Sequence, residues 1–137
     1  MLKTRDIPLE YVMLDKNTLD QLCNPIFTLD SSIRFVGIIN KMGKLVAGGM
    51  KHGLKSMENN EKSLELYLEF VLKNEMNKDF DLEFGKTIYS FSEREKIKLA
   101  SFPLDDNYLL RVSMDKDAAH NEIIERILEL LKKNGLK

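Results

Sequence analysis

The stretch Ile33-Arg34-Phe35-Val36-Gly37-Ile38-Ile39-Asn40 constrains the fold more than any other part of the chain. In an extended strand alternate side chains project to opposite faces, so Ile33, Phe35 and Ile39 point one way and Val36 and Ile38 the other. Both faces are apolar. Such a strand needs cover on both sides, which places it in the middle of a sheet flanked by helices. Asn40-Lys41-Met42-Gly43 supplies a glycine where a tight turn needs positive φ, so residues 45–50 read as a second strand returning along the first. Gly48 and Gly49 within it mark a bulge or a close approach of backbone.

The flanking segments supply the cover. Residues 6–11, with Pro8 in the first turn, open on a short helix. A clearer helix begins at Asn17-Thr18 and carries Leu19, Leu22, Ile26 and Leu29 on one face. Pro25 interrupts it, and the favoured solution has Asn24 capping a new turn with Pro25 at its first position. A long helix runs from Asn60 or Glu61 to Asn77, with Leu64, Tyr67, Leu68, Val71 and Leu72 as its buried stripe. Three short apolar stretches follow, at residues 86–91, 96–102 and 108–114, parted by turn signals at 92–95 and 103–107. Short turns between consecutive strands imply an antiparallel meander. The last helix is capped by Asp115 or Asp117, buries Ile123, Ile124, Ile127, Leu128 and Leu131, and stops at Asn134-Gly135. No repeat or linker interrupts this order, so residues 1–137 are expected to form one domain, with 1–16 as an N-terminal extension.

Charge and cysteine content narrow the function classes. Twenty-one basic against 22 acidic residues, a net charge of -1, give no cationic surface for a phosphate backbone, so no nucleic-acid partner is expected. Cys23 is the single cysteine, so no disulfide can form within the chain, and Leu22 and Asn24 bring no cation to stabilise a thiolate. It reads as a small buried or half-buried side chain. No apolar run approaches the roughly 18 residues of a membrane span, and the N-terminus lacks the apolar core of a secretion signal. The expectation is a cytoplasmic protein without a membrane partner.

The candidates for chemistry are thin. Gly48 and Gly53 have the spacing of a phosphate-binding loop, but Leu54 and Lys55 stand where that loop needs Lys and Ser or Thr. His52 and His120 are the only histidines, too few for a usual zinc set. His120 is expected near a helix start, bonded to Asp117 or solvent. Asp79-Asp81 and Asp105-Asp106 sit in turns, where aspartate serves the backbone, and no serine has a His and acid partner. No catalytic, cofactor or metal residues are therefore assigned, and an enzyme is not expected. Arg94 and Lys96 with Tyr89 form a small basic and aromatic patch suited to a protein partner.

The order helix, strand, strand, helix, three strands, helix resembles the roadblock/dynein light chain superfamily, a profilin-like and longin-like arrangement. Residues 35–47 carry its strand-turn-strand opening, and 109–131 its closing strand and helix. The chain is also similar to a set of small uncharacterised archaeal proteins, in the segments 32–40 and 94–104. The resemblance implies a mixed α/β (α+β) fold with a five-stranded antiparallel sheet in the order 2-1-5-4-3. It puts the long crossover helix on one face and the N- and C-terminal helices on the other. It further implies a homodimer built from the third strand and the long helix: Thr87, Tyr89 and Phe91 with exposed positions of residues 64–72. Functionally it implies a non-catalytic module that scaffolds or regulates a protein partner, with a small GTPase as a partner class. The alternative is a small-molecule-sensing domain with its ligand between sheet and helix, where Gly37, Gly48 and Gly49 leave room.

Overall fold

The computed structural model describes residues 15–136, so the helix expected at 6–11 lies outside the described residues. Helix α1 (Lys16–Phe27) is capped by Asp15, whose carboxylate accepts a 2.8 Å bond from the Thr18 N–H. That bond holds the Asp15 carboxyl below its usual pKa. The helix runs unbroken through Pro25, against the expected fresh start at Asn24. Proline removes one donor to the carbonyl of Gln21, but both residues are exposed, so water replaces the lost bond and the helix ends within a turn.

Strands β1 (Ile33–Asn40) and β2 (Leu45–Met50) form the expected hairpin. The Asn40 side chain accepts from the backbone N–H groups of Met42 and Lys44, and Gly43 takes φ 77°. Helix α2 (Asn60–Asn77) leads through a 3-10 turn (Lys78–Phe80) into the one-turn helix α3 (Asp81–Phe84). Strands β3 (Ser90–Glu93), β4 (Ile97–Pro103) and β5 (Tyr108–Asp115) follow, and helix α4 (His120–Lys133) closes the order. The sheet is antiparallel throughout, in the order β2-β1-β5-β4-β3. The two most apolar strands, β1 and β5, lie inside it, as the two-sided pattern of β1 demands.

The two covers differ in kind. On one face Leu19, Leu22, Cys23 and Ile26 of α1 and Ile123, Ile124, Ile127 and Leu131 of α4 close over Val36, Ile38, Phe102, Leu110 and Val112. On the other face, Phe35 and Ile39 meet Tyr67 of α2, with Met50 and Val71 at the margin. Ile33 joins the first face rather than lying with Phe35. The β1–β5 register slips between Ile33 and Phe35, and one extra residue in a strand reverses the side on which the next one falls.

Two boundaries depart from expectation for readable reasons. Strand β3 starts at Ser90, not Lys86. Its register pairs Ser90 with Ser101, so an extension would set Ile88 opposite Pro103, which has no N–H to give. The β3–β4 turn correspondingly moves on to residues 94–96, where the Arg94 N–H donates to the Ile97 carbonyl. Helix α4 is capped by neither Asp115 nor Asp117, because it begins at His120 after Ala119. Asp115 instead ends β5 and pairs with Arg34 at 3.2 Å. The far end is as expected: Gly135 at φ 77° lets its own N–H and that of Leu136 reach the Lys132 and Leu131 carbonyls.

Gly48 is a close backbone approach rather than a bulge. At φ 79° it lies so near β1 that a Cβ would collide with the Val36 carbonyl oxygen and come within 3.0 Å of Cys23 Sγ. The β1–β2 register slip falls elsewhere, between Ile38 and Ile39. Gly48→Ala should therefore cost about 2–3 kcal/mol of stability in chemical denaturation. The Cys23 thiol donates to the Leu19 carbonyl, and burial, with the charge of Asp20 adding, pushes its pKa up to about 11. Alkylation by iodoacetamide at pH 8 should run at least about 100-fold slower in the folded protein than in denaturant, because so little thiolate is present.

Candidate interaction surface

Helix α2 carries two apolar rows, and the sheet uses one. Asn59 caps it by accepting from the Lys62 N–H. Tyr67, Phe70 and Val71 then face the sheet, and of the whole helix only Tyr67 is buried. Leu64, Leu68, Leu72 and Met76 recur every four residues, which aligns them along one stripe of the helix. They stay 55%, 47%, 63% and 67% exposed. The periodicity that made Leu64, Leu68 and Leu72 read as core is real, but the stripe stays largely exposed, with Leu68 alone leaning on Gly43 of the β1–β2 turn.

The row continues along the chain into a hook, residues 78–88. Phe80 and Phe84 stack with ring centroids 6.0 Å apart, Leu82 is 94% exposed, and Ile88 and Tyr89 are largely exposed beyond them. Asp79, Asp81 and Glu83 alternate with these apolar residues. The aromatic pair is presented to water over a single turn of helix and takes no part in the core.

What ties α2 to the sheet is a residue that the sequence pattern did not single out. Arg111 of β5 is 3% exposed, and its guanidinium carbon lies 5.1, 5.6 and 5.0 Å from the ring centroids of Phe35, Tyr67 and Phe70. Removal from water lowers its pKa, while Tyr67 and Glu58 act to raise it. The Arg111 Nε finds no partner among the described residues. Desolvation in the same cluster raises the Tyr67 pKa, which Arg111 opposes. The signal in the sequence was a lone arginine inside an apolar strand. Its three aromatic neighbours come from two other elements, so the cage itself had no local trace.

The residues expected at the partner surface do not all share one side. Phe91 stacks on His120 at 4.5 Å and packs against the face covered by α1 and α4. Tyr89, 42% exposed, leans toward Phe102 of that same core, with ring centroids 6.1 Å apart. Thr87 is half-buried in the segment before β3, and Arg94 and Lys96 stand exposed at the β3–β4 turn. On the α2 side β3 shows Ser90 and Ser92, which border a small cleft with Phe70 and Asn74.

His120 is not bonded to Asp117. Its Nδ1 lies 2.9 Å from the ammonium of buried Lys98, which also donates to the Ala118 carbonyl at 2.8 Å. Among the described residues no three His, Cys, Asp or Glu side chains gather in a metal-binding group. The room assigned to the strand glycines is filled at two of them. A Cβ at Gly37 would stand 2.7 Å from Leu45 Cδ1 and closer to the Phe35 ring, and Gly48 abuts β1.

Comparison with known proteins agrees with this architecture. No curated protein matches the sequence. The fold is similar to that of a Roadblock/LC7 domain from Streptomyces avermitilis, with a TM-score of 0.63 and 14% identity over 84% of this chain and 92% of that one. MglB of Myxococcus xanthus has a TM-score of 0.62 at 15% identity, over 87% of this chain and 88% of its own. The gliding protein MglB of Thermus thermophilus has 0.65 at 13%, over 83% and 85%. At such identities the likeness is one of fold, and it is the roadblock-like fold that the order of elements suggested. The sequence model of a family of unknown function, DUF6659, matches residues 14–135, and the chain belongs to that family.

Proposed function

We propose that this protein is a non-catalytic, homodimeric interaction module that scaffolds or regulates a protein partner, with a small GTPase as the partner class. The observation that carries the proposal is the exposed row Leu64, Leu68, Leu72 and Met76 with the hook beyond it. Leucines spaced four apart on a helix are what a docking helix offers a partner, and contiguous apolar surface on a monomer commonly marks an interaction site. Glu61, Glu65 and Glu69 interleave with the row in sequence, which favours a partner bringing Lys or Arg to its rim.

In this reading the interface joins the outer row of α2 to Thr87 and Tyr89, with Arg94 and Lys96 at its border. Phe91 supports it from beneath, through its stack on His120. A structure described as MglB with tetrameric arrangement shares the fold at 10% identity and a TM-score of 0.62, which lends support to self-association. The proposal treats residues 1–137 as one roadblock-like domain with 1–16 as an extension, similar to small archaeal proteins and working in the cytoplasm without nucleic acid. No described helix is long and apolar enough to cross a membrane.

Sedimentation velocity at micromolar concentration should give a dimer, and a strict monomer would count decisively against this reading. The double substitution Leu72→Glu and Met76→Glu should weaken association by at least about 100-fold while leaving the circular dichroism spectrum intact, since both side chains are largely exposed. Tyr89→Lys should weaken it by about tenfold. Unchanged association in that variant removes the approach to β3 from the interface and leaves α2 alone.

A further inference from the structure

Where the hook stands off the β4–β5 turn, the two enclose a cleft of about 340 Å³. That volume lies at the small end of the range for ligand sites, about 300–1,000 Å³. Ile88, Pro103, Leu104 and Leu136 make its apolar lining, and Leu104 is buried. The polar lining divides into committed and uncommitted groups. The Lys78 ammonium is held by Glu75 at 2.9 Å and Asp106 at 3.5 Å. The Asp105 carboxylate is engaged by the Asn107 and Tyr108 N–H groups at 2.7 and 2.9 Å.

Left over are Asn74, Lys86, Asp81 and Thr87. They line the same cleft, yet none of their side chains forms a hydrogen bond or ion pair with another described residue. Asp81 and Thr87 are half-buried. One cation and one anion border a shared space without joining each other, beside an apolar lining. That is the complement of a small zwitterion carrying an apolar side chain.

We propose that this cleft binds a free apolar α-amino acid. The ligand carboxylate meets the Lys86 ammonium and the Thr87 hydroxyl, its ammonium meets the Asp81 carboxylate, and its side chain lies on Ile88, Leu104 and Leu136. Each polar contact is charge-assisted, and the apolar lining selects against glycine. Thr87 belongs to the proposed interface as well, so the cleft borders that interface, and ligand binding and self-association are read by separate measurements.

The test is isothermal titration of the full chain with L-leucine and L-phenylalanine, with the backbone amide spectrum followed on the same samples. Saturable binding of one amino acid per chain is expected, with resonances of Thr87 and Leu104 shifting. N-acetyl-L-leucine, L-leucinamide and glycine, which lack the ammonium, the carboxylate and the side chain in turn, should each bind at least about tenfold more weakly. Lys86→Met and Asp81→Asn should cost about tenfold for leucine. Lys86→Met should also no longer discriminate leucine from leucinamide, and Asp81→Asn should no longer discriminate leucine from its N-acetyl form. Absence of both heat and resonance shifts overturns the proposal. So does glycine binding as tightly as leucine, or wild-type affinity in both variants. Sedimentation of the same samples reports the dimer independently, so failure of one reading is distinguishable from failure of the other.

Discussion

The structure depends on a strand that is apolar on both faces. β1 cannot sit at a surface, so the chain must supply two covers, and the two it supplies are unequal. α1 and α4 close one face with interlocking aliphatic side chains that leave almost nothing exposed. α2 closes the other with Tyr67 as its one buried residue, set against Phe35 and Ile39. The difference is made up by Arg111, a cation enclosed by three aromatic rings rather than paired with a carboxylate. Ring faces compensate a guanidinium for part of its lost hydration, and Arg tolerates that loss better than Lys because its charge is spread over a plane. The arrangement holds α2 to the sheet along one stripe only.

That economy has a consequence for function. A helix fixed by one stripe is free to carry a second apolar stripe outward, and α2 does so with Leu64, Leu68, Leu72 and Met76. The hook that follows repeats the pattern on a smaller scale, with apolar residues alternating with acidic ones beyond the last regular turn of α2. β3 is only four residues long and offers serines to the α2 side and Phe91 to the core. Surface, hook and edge are thus separate devices carried by one stretch of chain, between Asn59 and Glu93. The first cover is closed, and the second leaves an apolar stripe exposed.

The parts of the fold that were legible share a cause. β1, β5, α2 and α4 each carry a long periodic pattern, and both the sheet order and the two-sided burial of β1 follow from patterns of that kind joined to a roadblock-like order of elements. The departures come from pairwise events that periodicity does not record. β3 is cut short because Ile88 would meet Pro103, Ile33 changes sides at a register slip, and α4 starts late because β5 runs on through Asp115, whose N–H donates to the Ser32 carbonyl and whose carbonyl closes a turn with Ala118. Pro25 is tolerated because its missing donor falls on the solvent side of α1 near its end. At the candidate surface, Arg94 and Lys96 stand exposed as their charge suggests, whereas Phe91 turns inward onto His120.

By itself the sequence determined the five strands and three longer helices of the described residues, the central place of β1 and the absence of an internal disulfide. Those follow from local spacing, from the presence of one cysteine and from the single fact that apolar side chains leave water. Tertiary structure alone decided which apolar stripe of α2 is spent on the sheet, since two helical rows of similar hydropathy are indistinguishable until a partner face is present. It also decided that Arg111 is buried among Phe35, Tyr67 and Phe70, and that Lys86 and Asp81 border one cleft. Each is a meeting of residues brought together by strand pairing or helix packing, and such meetings exist only once the chain has closed on itself.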